Sequence, residues 1–149
     1  MNLLRILILM NFLLFSFSLK ANDKDIEACL SLYQITASAI DYKNKGKTKE
    51  EMLKPLPPKE QLQKFANVKN GKVLIGLAMY DVIDEIYDYE VLPISVYVPF
   101  VSEKCVRRAN NLPIIPYSQA FPLLRKCSLL NDSKEQLECA FKVVNSKNT

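Results

Sequence analysis

The opening segment, MNLLRILILMNFLLFSFSLKA, constrains everything after it, because it sets the redox conditions under which the rest of the chain folds. Arg5 gives a positive start, and Ile6 to Leu19 is apolar apart from Asn11, Ser16 and Ser18. Ala21 is a small residue at a cleavage position, so the pattern is that of a secretory signal. The apolar run is shorter than the ~20 residues a helix needs to cross a ~30 Å hydrocarbon core, which favours removal over retention as an anchor. No cysteine stands at the boundary, which disfavours a lipid-anchored form. The mature chain is expected to start at Asn22, to form one domain over 22–149 and to work in the periplasm or the medium.

In an oxidising compartment Cys29, Cys105, Cys127 and Cys139 read as disulfides rather than as metal ligands or reactive thiols. None of them forms a Cys-x-x-Cys pair, so thioredoxin-like chemistry and zinc ribbons are both disfavoured. Four cysteines allow three connectivities. The preferred one joins Cys127 to Cys139 across a C-terminal helical hairpin, and Cys29 to Cys105 between the first helix and a later one.

Composition removes further possibilities. The chain has no histidine and no tryptophan. Without histidine there is no Ser-His-Asp or Cys-His catalysis, no imidazole ligand and no imidazole pH switch. Arg5 and Lys20 leave with the leader, so 18 basic residues face 16 acidic ones. That small excess gives no support for nucleic-acid binding. No cofactor or metal is expected. With no glycine-rich phosphate loop, no Gly-x-Ser-x-Gly and no marked carboxylate pair, no enzyme activity is expected either.

Three glycines and helical periodicity indicate an all-α domain of about five or six helices. Helices are expected over Asp23–Asn44, Glu50–Lys54, Lys59–Asn67, Lys72–Tyr89, Pro99–Arg108, Ser118–Leu130 and Ser133–Asn145, with a frayed tail at 146–149. In the first, Ile26, Cys29, Leu30, Tyr33, Ala37 and Ile40 share a face, Asn22 or Asp23 caps the start, and Gly46 falls at a left-handed C-terminal cap. Thr48 with Glu51, and Ser133 with Gln136, read as capping boxes. Asn70-Gly71 is a turn signal. The stretch 91–101 has β-type composition, but Pro93 and Pro99 argue against a central strand, and Pro99 suits a helix's first position. Leu137, Ala140, Phe141 and Val144 make the apolar stripe of the last helix.

The sharpest constellation is Asp81, Asp84, Glu85 and Asp88, four carboxylates on one stripe of the central helix. They read first as a solvated face and second as a ridge that docks a basic partner. A convex face does not wrap a calcium ion. Lys43, Lys45, Lys47, Lys49, Lys54, Lys59, Lys64, Lys69 and Lys72 form a basic connector with no interleaved aromatics, suited to solubility, to anionic envelope surfaces, or to pairing with the acidic stripe. Arg107-Arg108 and Arg125-Lys126 sit where they complement helix C-termini, or form a cationic patch if the bridges bring them together. Asn131-Asp132-Ser133 matches a glycosylation sequon and also a loop-to-helix cap.

The segment ACLSLYQITASAIDYKNKGKTKEEM, an apolar helix and then VYVPFVSEKC resemble small exported bacterial proteins of unknown function, over roughly Ala28 to Cys105. The resemblance rests on helix order, the Lys-x-x-Gly-x-Thr connector and two cysteines. It implies pairing of Cys29 with Cys105 and no particular activity. The functional expectation is a binding protein of the envelope, of inhibitor or immunity type, whose partner is another envelope protein and which does not insert stably into the membrane. The alternatives are an envelope stress or structural factor with exposed apolar surface, and a small hydrolase using Asp84 and Glu85.

Overall fold

The computed structural model describes residues 23–66 and 70–146, with side chains from Ile26 onward. The expected leader, the cap at Asn22 or Asp23, Lys69 and the tail beyond Ser146 lie outside what it describes. Every regular element among the described residues is an α-helix. In chain order these are α1 Asp23–Leu30, α2 Leu32–Asn44, α3 Lys49–Leu53, α4 Lys59–Lys64, α5 Gly71–Asp88, α6 Ile94–Ala109, α7 Tyr117–Cys127 and α8 Ser133–Asn145. The eight segments exceed the five or six expected for the domain and are one more than the seven spans named, because Ser31 divides the first helix. Its hydroxyl donates to the carbonyl of Ala28 and competes with the helical ladder.

Local chemistry explains most of the boundaries. After α2, Gly46 takes a φ of 82°, its N–H bonds Lys43 O and the next N–H, from Lys47, bonds Tyr42 O. This is a Schellman stop, which needs the left-handed conformation that glycine adopts without a Cβ clash. Asn111, at φ 54°, ends α6 in the same way, with Leu112 N–H bonded to Arg107 O. Thr48 and Glu51 form the expected capping box of α3. Asn70 caps α5 by accepting from Lys72 N–H.

Two expectations are corrected. The cap of α8 is Asp132, whose carboxylate accepts from Lys134 and Glu135 N–H, and not Ser133. Gln136 is therefore released from capping, and its amide donates to Leu130 O while it accepts from Ser95. The second correction concerns α6, which starts at Ile94 rather than near Pro99 and contains Pro99 in its interior. An interior proline costs about 3 kcal/mol of helix stability. Val96, Tyr97, Phe100 and Val101, all buried, lie around it and offset that cost.

Helices α5 and α6 form the centre of the packing. Helices α1 and α2 lie against both, α3 and α4 cover α5, and α8 makes its broadest contact with α6 and a second with α7. Gly76 of α5 lets α4 approach, since a Cβ there would stand 2.9 Å from Leu62 Cδ1. Tyr117 sits among Tyr89, Tyr97, Phe100 and Phe121, with ring centroids 5.0 to 6.0 Å away, and docks α7 on the central pair.

Both preferred disulfides form, Cys29–Cys105 and Cys127–Cys139, each with a Cα separation of 5.6 Å. In the chain-entropy view the first, spanning 76 residues, contributes about 4.5 kcal/mol and the second, spanning 12, about 3. Such bridges persist where the compartment is oxidising, outside the cytoplasm. Among the described residues no helix is long and apolar enough to cross a membrane.

The helix faces differ from the expected ones by part of a turn. On α1 and α2 the buried set is Cys29, Leu32, Thr36, Ala39 and Ile40, while Leu30 and Tyr33 are exposed. The bridge turns Cys29 inward and fixes that phase. On α8, Ala140, Val143 and Val144 are buried, and Leu137 and Phe141 lie at the exposed edge.

Candidate functional site

The α5 stripe is not the solvated face expected. Docking of α6 against α5 encloses Glu85, 5% exposed, and leaves Asp81 largely covered. Lys104, itself 8% exposed, reaches from α6 to Glu85 Oε1 and to Asp81 Oδ2, the latter at 2.9 Å. Arg108, one turn on, donates to the same Asp81 oxygen at 2.7 Å. Tyr97 Oη donates to Glu85 Oε2 at 2.8 Å. Two carboxylates thus meet two cations, with the phenol completing the set.

Burial sets the electrostatics of this cluster. Desolvation would raise Asp81, but Lys104 and Arg108 outweigh it and hold the carboxyl below its ordinary range. Desolvation of Glu85 outweighs Lys104 and Tyr97, so its carboxyl is pushed up. Burial, reinforced by Glu85, pushes the Tyr97 phenol well above its usual value. Such a cluster has the perturbed groups common in catalytic sites, but its charged groups face one another and the space between them has a volume of about 0 Å³.

The other half of the stripe is closed from the basic connector, as one of the readings of the lysines anticipated. Lys49 bonds Asp84 Oδ1 at 3.1 Å and Asp88 Oδ1 at 2.9 Å, and Lys59 bonds Asp84 Oδ2 at 3.2 Å. The Asp88 hydrogen bond, opposed by partial burial, raises the Lys49 ammonium. Lys43 donates to Ile86 O and stacks over Tyr87, whose hydroxyl donates to Lys47 O.

Arg107, Arg108 and Arg125 are engaged separately rather than in one patch. Arg107 donates to Pro113 O and to Asn145 Oδ1, Arg108 turns to Asp81, and Arg125 lies 3.6 Å from Glu90. Both pairs stand in the last turns of α6 and α7, as dipole complementarity requires. Among the described residues no group of three or more His, Cys, Asp or Glu is arranged to hold a metal ion.

Among the described residues a cleft of about 510 Å³ lies between α2, α3 and α5. Helix α2 presents Ile35 and Ala39 to it, α5 presents Met79, Val82 and Ile83, and Met52 and Pro55 close the α3 side. Polar groups stand around these apolar ones: Gln34, Ser38 and Tyr42 from α2, with Lys47 and Glu51 opposite. The Lys47 ammonium and the Glu51 carboxylate lie 3.5 Å apart and both are half exposed. The Thr48 N–H, then Lys47, hold Glu51 below the usual carboxylate range, so the residue is ionised.

Sequence reasoning did not single out this cleft. Its signal was present in Ile35, Ala39 and Tyr42 at four- and three-residue steps along α2, beside the face that enters the core. The volume falls within the range of small-molecule sites, roughly 300 to 1,000 Å³, with an apolar interior and few polar groups. Scans of protein-family models, curated proteins and solved structures each find no match to this chain.

Proposed function

We propose that the protein is an exported, non-catalytic binding protein of the cell envelope, and that it works by taking an apolar part of its ligand into the α2/α3/α5 cleft. One observation carries this reading. The carboxylates Asp81, Asp84, Glu85 and Asp88 and the arginines Arg107 and Arg108, which read as recognition groups in the sequence, are engaged within the fold, whereas the cleft is an apolar concavity with exposed polar groups around it. Export is supported by the leader pattern and by the two disulfides.

The test is saturable binding of N-phenyl-1-naphthylamine, which fluoresces in apolar surroundings, followed in the wild type and in Ser38→Trp and Gln34→Trp. Both residues are exposed at the rim, so either tryptophan can cover the cleft while the core stays intact. One site per chain, abolished in both folded variants, is expected. Dye binding that both variants leave unchanged would sink the reading.

A second reading, that the partner is another envelope protein of the kind an inhibitor or immunity protein meets, is favoured by exposed apolar residues on the C-terminal hairpin. Leu129 is 78% exposed, and Leu130, Leu137 and Phe141 lie on the same hairpin. Isolated exposed apolar residues are ordinary, whereas several on one element mark contact surface. Leu129→Ser with Phe141→Ser should abolish capture of a periplasmic partner while dye binding persists. Capture that survives both changes removes the hairpin from the proposal.

A further inference from the structure

The ligand class can be narrowed further, on the reading that the cleft is the binding site. We infer that the cleft receives a single-chain amphiphile with a zwitterionic headgroup, of the lysophosphatidylethanolamine type. Size comes first. At about 510 Å³ the cleft is more than three times the ~150 Å³ apolar cavity that admits benzene, which suits a flexible chain better than a single ring. Met52 and Met79 line it with unbranched, adaptable side chains that pack against irregular or mobile hydrocarbon.

The rim fixes the headgroup. Lys47 and Glu51 stand on the same side of the mouth as one cation and one anion, joined by a loose 3.5 Å contact in water. An exposed pair of this kind contributes little on its own, so a ligand exchanges for it at small cost. A fatty-acid carboxylate would meet Lys47 and be repelled by Glu51, and a cationic amphiphile the reverse. A phosphate joined to an ammonium satisfies both residues at once. Gln34, Ser38 and Tyr42 add neutral hydrogen-bonding groups across the mouth.

Displacement of N-phenyl-1-naphthylamine from the oxidised protein tests this. Below its micellar concentration, a 16-carbon lysophosphatidylethanolamine should displace the dye stoichiometrically. Each two methylenes removed from its chain should weaken it by about fifteen-fold. The fatty acid of equal length should compete at least five-fold less well. Glu51→Gln keeps a side chain able to complete the capping box, so the fold survives it. It should reverse that preference toward the fatty acid, and Lys47→Gln should weaken both.

If the rim tryptophans abolish dye binding but no amphiphile displaces it, the ligand class is wrong and the cleft remains the site. Displacement by diacyl vesicles or by an apolar tripeptide in place of the lysolipid overturns the class in favour of a membrane surface or a polypeptide. An unchanged lipid-to-acid ratio in Glu51→Gln overturns the headgroup assignment.

Discussion

Asp81 and Glu85 form one half of the α5 carboxylate stripe and Asp84 and Asp88 the other, yet the two halves live in different physical regimes. The Glu85 side chain is 6% exposed and meets cations brought by α6, whereas that of Asp88 is 55% exposed and meets a lysine on a five-residue helix. In the first half each ion has lost its water, so each partner is obligatory. In the second, water and salt share the load. Both halves are carboxylates four residues apart on the same helix. The difference comes from which neighbouring element docks over the stripe.

The largest predicted effect breaks the buried half. Lys104→Met leaves Glu85 enclosed without its cation and should cost about 3–5 kcal/mol in urea unfolding of the oxidised protein. The triple variant Lys104→Met, Glu85→Leu, Tyr97→Phe should recover most of that, because no buried charge and no stranded Tyr97 hydroxyl then remains. A single variant within 1 kcal/mol of the wild type would mean that water reaches the cluster, and the comparison between the halves would collapse.

Acid distinguishes the halves next. Asp81 is held below its ordinary value of 3.8, so its contribution is present above that value and is lost as pH falls through the folded-state value. Glu85 runs the other way. Raised above 4.5, it adds stability below that pH and loses it as pH rises through the folded-state value. At this cluster the melting temperature should therefore rise modestly as pH descends through the folded-state value of Glu85 toward 4.5, and fall below about 4 as Asp81 takes up its proton. Asp81→Asn should be less stable than the wild type at pH 7, by up to about 3 kcal/mol, and the gap should close as the pH falls below 4. A gap that stays constant with pH would assign the loss to packing instead of charge.

How much of this was legible depended on the range of the interaction. The Gly46 stop and the Thr48–Glu51 box are written within six residues, and the structure repeats them. The two bridges followed from cysteine spacing set on expected helices. Pro99 lies inside α6 because a local rule, proline at the first turn, yields to burial of Tyr97 and Phe100, which only the assembled core supplies. Ser133 and its neighbour Asp132 are both cap residues by type, so the sequence does not separate them, and Asp132 takes the place. The fate of the acidic stripe was out of reach for the same reason, since Lys104 lies 19 residues from Glu85 and Lys49 lies 39 from Asp88. The cleft is harder still to read, being a space between three helices and not a motif.

A smaller effect should follow loss of the helix that serves the exposed half. Thr48→Ala removes the acceptor for Glu51 N–H and should cost about 1 kcal/mol, as N-cap removal does. It should also loosen Lys49 from Asp84 and Asp88 and weaken dye binding at the cleft, because α3 carries Glu51 and Met52 to its edge. A loss of stability with unchanged dye affinity would separate α3 from the site.

The smallest effect is the most direct comparison. Lys49→Ala removes the ammonium that closes Asp84 and Asp88, and an exposed network of this kind should contribute at most about 1 kcal/mol. Raising the ionic strength to about 1 M shortens the screening length to about 3 Å, so the difference from the wild type should vanish there. The loss in Lys104→Met should persist under the same conditions, because ions do not enter the space between α5 and α6. Equal salt sensitivity in the two variants would show that docking of α6 does not seal its half of the stripe, and one description would then serve for all four carboxylates.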